Sequence, residues 1–507
     1  MVSVEGIFQS LFRLDAKKSC GPDNIPNAFF QRYAEWCSKY LYEIYSCSLR
    51  TGIVPQDWKV AKVVHIYKSG DKKVVSNYRP VSLLSTCSKV LEHFIFKHIV
   101  TFLESAEFLV TDQHGFRRGF STVTQLLHTF HAFATVVDRD GQVDAIFLDF
   151  AKAFDSVSHR KLLYKLKQVL ENDCLLRWFD SYLTDRQQYV AVGKAESFEM
   201  PVLSGVPQGS VLGPLLFLVF INDLRVDNPL IQCRFFADDC VLFSEVSSLA
   251  DQECLNDSLH MVFSWCQNWQ MNLNVKKCVQ MTLTLKRSPL VFYYDINLVP
   301  LEIVTSYKYL GVIITSNLSW SAHFVNIIAN ASRKLWSLRR NMCHCTAETK
   351  LVAYTSLIRP LLEYADILWD PHTQSSIDQL ESVQKKALRF IYNAYDWETS
   401  MSSLYASSAL PRLSSRRKVK RLKFLYNIIH NKIGLKFNDY LKYNDSRATR
   451  RKHENLLREF QCKKDIFKYS FFPRTVRDWN SLPQCVTSLD TYDCFSRALE
   501  DILYISN

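Results

Sequence analysis

The sequence predicts an α+β fold, with an antiparallel sheet that carries helices and an all-α basic region behind it. Three observations predict it. Val143-Asp144-Ala145-Ile146-Phe147-Leu148 is a near-continuous apolar run, as a strand in a sheet buried on both faces requires. Residues 232–244 read as strand, tight turn, strand. Beyond about residue 325 the pattern turns helical and basic to the end, with Pro360, Pro371 and Pro411 as breaks.

The remaining elements follow in order. Residues 1–55 read as helices around the turn Gly21-Pro22-Asp23-Asn24-Ile25-Pro26, where Gly and Pro interrupt any helical run. Val60, Val63, Val64, Ile66 and Tyr67 favour a strand over 60–67; Ser69-Gly70-Asp71 turns the chain, and Tyr78 to Leu84 returns as its partner. Residues 88–105 are amphipathic and helical. After the strand at 143–148, Asp155, Ser156 and Ser158 offer N-cap oxygens for a helix reaching about Val169. Tyr307 to Thr315 is a further strand. Trp265 and Trp269, four apart with Met261 and Met271 nearby, read as a core stripe on a helix. His159, with no partner that would make it a base, reads as structural.

At 507 residues the chain exceeds one compact core, which stops growing near ~250–300 residues, so two or more units are expected. A content of 48% hydrophobic and 22% charged residues excludes a disordered or collagen-like chain. Lys and Arg number 62 against 50 Asp and Glu, a net +12, and the excess is concentrated: residues 330–470 hold 27 basic and 13 acidic side chains. A cationic rear half points to a polyanion partner, since each neutralised phosphate releases counterions. A solvated surface explains a scattered excess better than a concentrated one. Fifteen cysteines, an odd number with no Cys-x-x-Cys pair, favour a reducing compartment and no disulfide-linked partner. Cys343-His344-Cys345 lacks a second ligand pair at zinc-finger spacing. No secretory signal pattern opens the sequence, and Val211 to Ile221 is too short for a bilayer, which takes ~20 residues. No membrane association is expected.

The chemistry lies in three carboxylates. Asp149 ends the run Ile146-Phe147-Leu148, and Asp238-Asp239 sit inside Phe235-Phe236-Ala237-Asp238-Asp239-Cys240-Val241-Leu242-Phe243. Charged residues rarely occupy apolar strand context unless paired or metal-bound, because desolvation costs several kcal/mol. A hairpin turn by itself is satisfied by one Asp plus Gly. Three carboxylates brought together from neighbouring strands would make a site for two divalent cations.

These segments resemble the reverse transcriptases of non-LTR (LINE-type, jockey-like) retrotransposons. Phe236-Ala237-Asp238-Asp239 is similar to the family's polymerase hairpin, and Asp149-Phe150-Ala151-Lys152-Ala153-Phe154-Asp155 to its first catalytic motif. Ser204-Gly205-Val206-Pro207-Gln208-Gly209-Ser210-Val211-Leu212-Gly213-Pro214, Asn77-Tyr78-Arg79-Pro80-Val81-Ser82-Leu83-Leu84, Gln113-His114-Gly115-Phe116-Arg117 and Tyr309-Leu310-Gly311-Val312 match in the same order. The resemblance runs from about Leu14 to the C-terminus.

The resemblance implies a right-hand polymerase. Residues 1–55 would be a helical N-terminal extension, 56–325 fingers and palm with an antiparallel palm sheet, 326–400 a helical thumb, and 401–507 a basic nucleic-acid-binding region. The implied activity is RNA-directed DNA polymerisation, with an RNA template, a DNA primer and deoxynucleoside triphosphates. The alternative is a catalytically inactive relic that only binds nucleic acid. Phe154, and Ala237 before the Asp pair, speak against an RNA-dependent RNA polymerase. Asp149, Asp238 and Asp239 become the metal ligands and catalytic triad for two Mg²⁺ ions, with Mn²⁺ as the substitute. Lys277 would protonate pyrophosphate. Phe150 through its carbonyl, Phe154 as a steric gate against a 2′-hydroxyl, Gln208, Lys68 and Arg79 would bind the nucleotide, the last two suiting phosphate oxygens. Tyr309, Leu310 and Gly311 resemble the primer grip, with core packing an equal reading for Tyr309. Arg416, Arg417, Lys418, Lys420 and Arg421, with a second cluster of Arg447, Arg450, Arg451 and Lys452, would hold the duplex by its phosphates. The family commonly has Arg where Phe120 stands. Leu14 to Asp23 already resembles polymerase, so no endonuclease is expected ahead of it, nor a ribonuclease H carboxylate set or a Cys-Cys-His-Cys knuckle after it. The resemblance places the protein in the nucleus, or in a cytoplasmic ribonucleoprotein.

Overall fold

A computed structural model describes residues 2–396, 398–444 and 454–505. The N-terminal helices α1 (Val4–Phe12), α2 (Asn27–Arg32) and α3 (Ala34–Thr51) flank the expected turn. Strands β1 (Val60–Tyr67) and β2 (Tyr78–Leu83) form the expected antiparallel pair, Tyr67 opposite Tyr78, and α4 (Thr86–Ser105) follows. Ser121 caps α5 (Thr122–Asp138) in a reciprocal capping box with Thr124. Next come β3 (Gln142–Leu148), α6 (His159–Val169), α7 (Asp173–Leu183) and β4 (Gln187–Val192), then the two-residue strands β5 (Ala195–Glu196) and β6 (Met200–Pro201). The run after Val211 is α8 (Leu212–Ile221), nearly all of it buried. β7 (Gln232–Phe236) and β8 (Asp239–Glu245) are the expected hairpin, followed by α9 (Leu249–Trp269), β9 (Val279–Thr284) and α10 (Ser321–Asn341).

The main sheet runs β9–β3–β8–β7, antiparallel throughout, with the short strand Glu302–Ile303 parallel to the outer edge of β9. Every residue of β3 is buried, which explains its apolar run. Alternate side chains enter two cores. Ala145, Phe147, Val241 and Phe243 join one with α5 and the C-terminal helices; Ile146, Leu148, Cys240 and Leu242 join the other with α4, α6, α8 and α9. The first core continues without interruption from Leu126 to Leu499, so helices Gln374–Tyr392, Leu413–Ile429 and Phe471–Asn480 share one interior with the sheet.

The α+β class is the one observed, and three details differ from expectation. β4 pairs in parallel with β1, a long-range union that hairpin patterns do not announce. Tyr307 to Thr315 is two strands, Ser306–Tyr309 and Val312–Thr315, because Leu310 (φ 44°) and Gly311 (φ 86°) reverse the chain. Trp265 and Trp269 are half-buried, and with Phe220 they surround the Lys165 ammonium, which lies 3.5 Å from the Trp269 ring centre and pairs with Asp223. Among the described residues no helix is long and apolar enough to cross a membrane.

Candidate active site

Leu148 pairs with Cys240 in the β3–β8 ladder, so Asp149 and Asp239 leave adjacent strands at the same end of the sheet. Phe236 pairs with Asp239, which leaves Ala237 and Asp238 as the two-residue turn, and Ala237 takes φ 56° to make it. The chain around Asp149 is braced by the 272–278 segment. Its carbonyl accepts from the Asn274 amide at 2.7 Å, its amide faces the Cys278 thiol at 3.5 Å, and the Ala151 amide donates to the Asn272 carbonyl at 2.8 Å.

The electrostatics of this corner are those of crowded anions. Burial, then the Asp149 charge, pushes the Asp238 carboxyl up from its ordinary range; Arg79 and Lys68 pull the other way. Asp239 is pushed up to about 6, by burial first and then by Asp238 and Asp149, again against Lys68 and Arg79. Lys277 Nζ stands 3.5 Å from Asp149 Oδ2. Two exposed cations on the β1–β2 hairpin and one beside Asp149 therefore face three carboxylates without satisfying them. Among the described residues no three His, Cys, Asp or Glu side chains are close enough to cage an ion unaided. Hard oxygen donors that repel one another suit a hard divalent cation that completes its shell with water and phosphate oxygens.

Around the carboxylates stand the expected nucleotide residues. Phe150 is buried and its backbone bridges to Leu273. The Phe154 ring stacks on Phe217 (centroids 4.5 Å apart, 18°) and meets Phe116 edge-on at 6.0 Å, so packing fixes its position. Gln208 Nε2 donates to Asp155 Oδ1 at 3.0 Å, and its carbonyl accepts from the Ser82 amide at 2.7 Å. Two positions of the loop holding it have no room for a side chain: a Cβ at Gly205 (φ 87°) would lie 2.7 Å from Asp155 Cα, and one at Gly209 2.4 Å from the Ser82 carbonyl. Asp155 thus receives Gln208 instead of capping α6. His159 Nε2 sits 2.7 Å from the Gly205 carbonyl, a structural role.

Residues 66–314 match the family model of the reverse transcriptase (RNA-dependent DNA polymerase). This segment is a reverse transcriptase domain. The chain is 30% identical over 404 residues to the probable RNA-directed DNA polymerase from transposon BS of Drosophila melanogaster, covering 77% of this chain and 44% of that protein. It is 28% identical over 453 residues to the RNA-directed DNA polymerase from mobile element jockey of the same species, covering 85% and 49%. A third Drosophila melanogaster relative, the probable RNA-directed DNA polymerase from transposon X-element, is 30% identical over 411 residues, covering 79% and 45%. The chain thus spans less than half the length of these relatives. Reverse transcriptases work with divalent metal ions.

Two expectations about residues supporting the reverse transcriptase domain are corrected. Tyr309 is 3% exposed, and its hydroxyl accepts from Gln125 Nε2 at 3.0 Å, so its side chain belongs to the core; only the Leu310-Gly311 tip, held by a Tyr364 hydroxyl donating to the Leu310 carbonyl at 2.7 Å, faces outward. The basic run 416–421 is not an open phosphate-binding surface. Arg416, Arg417 and Arg421 are 3%, 1% and 2% exposed and pair with Glu363, Asp370 and Asp478. Lys420 bridges Glu363 and Asp366, and Lys418 lies 3.5 Å from Asp478. Helix Leu413–Ile429 turns these residues inward because the matching acids sit on 363–370 and 478. The cluster Arg447, Arg450, Arg451 and Lys452 lies outside the described residues.

Glu92 escaped the sequence reading. Fully buried, its carboxylate accepts from the Val211 and Leu212 amides at 2.8 and 3.2 Å and so caps α8 directly behind the Gln208 loop. Its signal was available: position 92 shares the helical face of Ser88, Ile95 and Ile99.

Proposed function

We propose that this chain is an RNA-directed DNA polymerase of a non-LTR retrotransposon, adding deoxynucleotides to a DNA 3′-end on an RNA template. The observation that carries the reading is the convergence of Asp149, Asp238 and Asp239 at one end of the main sheet beneath Lys68 and Arg79. Residues 56–325 then act as fingers and palm, 326–400 as thumb, and 401–507 as a unit that buttresses the palm from behind. Asp149, Asp238 and Asp239 would hold two Mg²⁺ ions, which would supply Lewis-acid activation of the primer hydroxyl and charge neutralisation at the leaving pyrophosphate. The rest falls to the chain. Lys68 and Arg79 hold the triphosphate, and Gln208, fixed by Asp155, lines the base-pair side. Phe154, held by Phe217, fills the space a 2′-hydroxyl would need. The primer 3′-oxygen bonds to the α-phosphorus as the bond to pyrophosphate breaks, and Lys277 stands where a proton can pass to that leaving group.

The test is extension of a labelled DNA primer annealed to an RNA template by the purified chain. The reading predicts template-length product with dNTPs and Mg²⁺. Tight template–primer binding with no extension would leave the nucleic-acid-binding relic instead.

A further inference from the structure

The turn that aims Asp238 and Asp239 is held by a residue with no place in the chemistry above. Ala237 adopts a left-handed backbone conformation (φ 56°) that L residues enter at a steric cost, so something must hold it there. Gln113 does so with both ends of its amide. Its Oε1 accepts from the Ala237 amide at 2.9 Å, and its Nε2 donates to the Ala237 carbonyl at 3.3 Å. The same Oε1 accepts from the Gly115 amide at 2.7 Å. Gln113 is 3% exposed, in a segment that runs beside β7: the His114 amide donates to the Phe235 carbonyl and the Phe235 amide to the Asp112 carbonyl, each at 3.0 Å. Gly115 packs so closely that a Cβ there would lie 2.2 Å from the Ala237 nitrogen.

The clamp is itself anchored. His114 Nδ1 lies 3.1 Å from the Thr124 hydroxyl at the start of α5, and its ring packs on Phe120 at 4.5 Å. Phe120 covers Gly434, where a Cβ would fall 2.3 Å from the ring, and the Gly434 amide donates to the Gly119 carbonyl at 2.8 Å. Support for the turn therefore reaches back to the C-terminal region.

We propose that Gln113 is a positioning residue: its amide fixes the Ala237 peptide and thereby the direction of the two carboxylates that follow. The proposal rests on the polymerase reading for its kinetic consequence but not for its metal-binding consequence. Gln is suited because the turn presents one donor and one acceptor. In Gln113→Leu all three bonds are lost. In Gln113→Glu the two amide donors are still met, but a carboxylate oxygen faces the Ala237 carbonyl.

The experiment compares the full chain with Gln113→Leu, Gln113→Glu and the remote core variant Leu103→Ala as a stability control. Single-nucleotide incorporation and Mn²⁺ binding, the latter read by electron paramagnetic resonance, are both measured. We expect kcat to fall about 100-fold in Gln113→Leu and about tenfold in Gln113→Glu, because a small misplacement of reacting groups costs that much. KM for dNTP should stay within about threefold, and Mn²⁺ affinity should weaken in step with kcat. Leu103→Ala should lower the unfolding midpoint and leave kcat and Mn²⁺ affinity alone. Wild-type kcat and Mn²⁺ affinity in both Gln113 variants would overturn the proposal, as would losses no larger than those of Leu103→Ala. A wild-type chain that binds Mn²⁺ but extends nothing would sink the polymerase reading, while the Mn²⁺ comparison would still decide the role of Gln113.

Discussion

The molecule holds two clusters of charge, one buried and one open to solvent, and they are built oppositely. Behind the sheet, Asp370 meets Arg417, Arg421 and Arg474, while Glu363 meets Arg416, Lys420 and Arg359. At the sheet end, Asp149, Asp238 and Asp239 crowd together with Lys68, Arg79 and Lys277 near but not joined closely to them. Their titration divides in the same way except at Asp366, which burial and then the Glu363 charge push up to about 6 against Lys420. Burial would raise Glu363 and Asp370, but their cations hold both below the ordinary carboxylate range. Asp238 and Asp239 are raised. Matched buried charge builds architecture; unmatched charge at an open corner waits for a ligand.

Removing an anion from each cluster should break them in different ways. Asp370→Asn removes the anion that Arg417, Arg421 and Arg474 share, leaving Arg421 only Asp478, and should cost about 3–5 kcal/mol of unfolding free energy, read by urea denaturation. Extension by the folded fraction should not change. Asp239→Asn should do the reverse: extension falls at least about 100-fold. Its thermal midpoint in metal-free buffer should hold or rise, because repulsion from Asp238 and Asp149 is relieved. Adding Mg²⁺ should then raise the wild-type midpoint and not that of the variant.

The same contrast explains what could be read from the sequence. Asp149 and the Asp238-Asp239 pair were legible because each interrupts an apolar strand, a local feature. The 416–421 run was misread because a count of charges does not record partners. The acids that neutralise it, Glu363, Asp366, Asp370 and Asp478, lie about fifty residues away on either side. Strand β4 escaped for a related reason: its parallel partner β1 stands more than a hundred residues upstream. Tyr307 to Thr315 looked like one strand because only Leu310-Gly311 breaks it, and one Gly in a β-rich run signals a bulge as readily as a turn. Gln113 sat in a recognised motif, yet its bonds go to a backbone unit more than a hundred residues on, which no local pattern encodes.

Two smaller effects sharpen the comparison. Phe154→Ala leaves the carboxylates alone and opens the sugar side, so discrimination against ribonucleotides should fall about tenfold or more in single-nucleotide incorporation. Unchanged discrimination would reduce Phe154 to a partner of Phe217. Acid should weaken the rear cluster. Carboxyls held low in the folded chain bind fewer protons than unfolded ones near ~4, so they stabilise above that pH, and the contribution is lost as pH falls through their folded values. Wild-type stability should therefore drop by about 1 kcal/mol more than that of Asp370→Asn between pH 5 and the acid limit, followed by urea midpoints.

The central claim is that three crowded carboxylates, of which only Asp149 has a cation within ion-pair reach, share divalent cations under a primer end. Mn²⁺ binding to the full chain with an RNA template, a DNA primer and the next dNTP, measured beside incorporation for wild type, Asp149→Asn and Asp238→Asn, tests it most directly. The wild type should bind the ion and extend the primer, and each variant should lose both together. Wild-type incorporation by either variant would contradict the account.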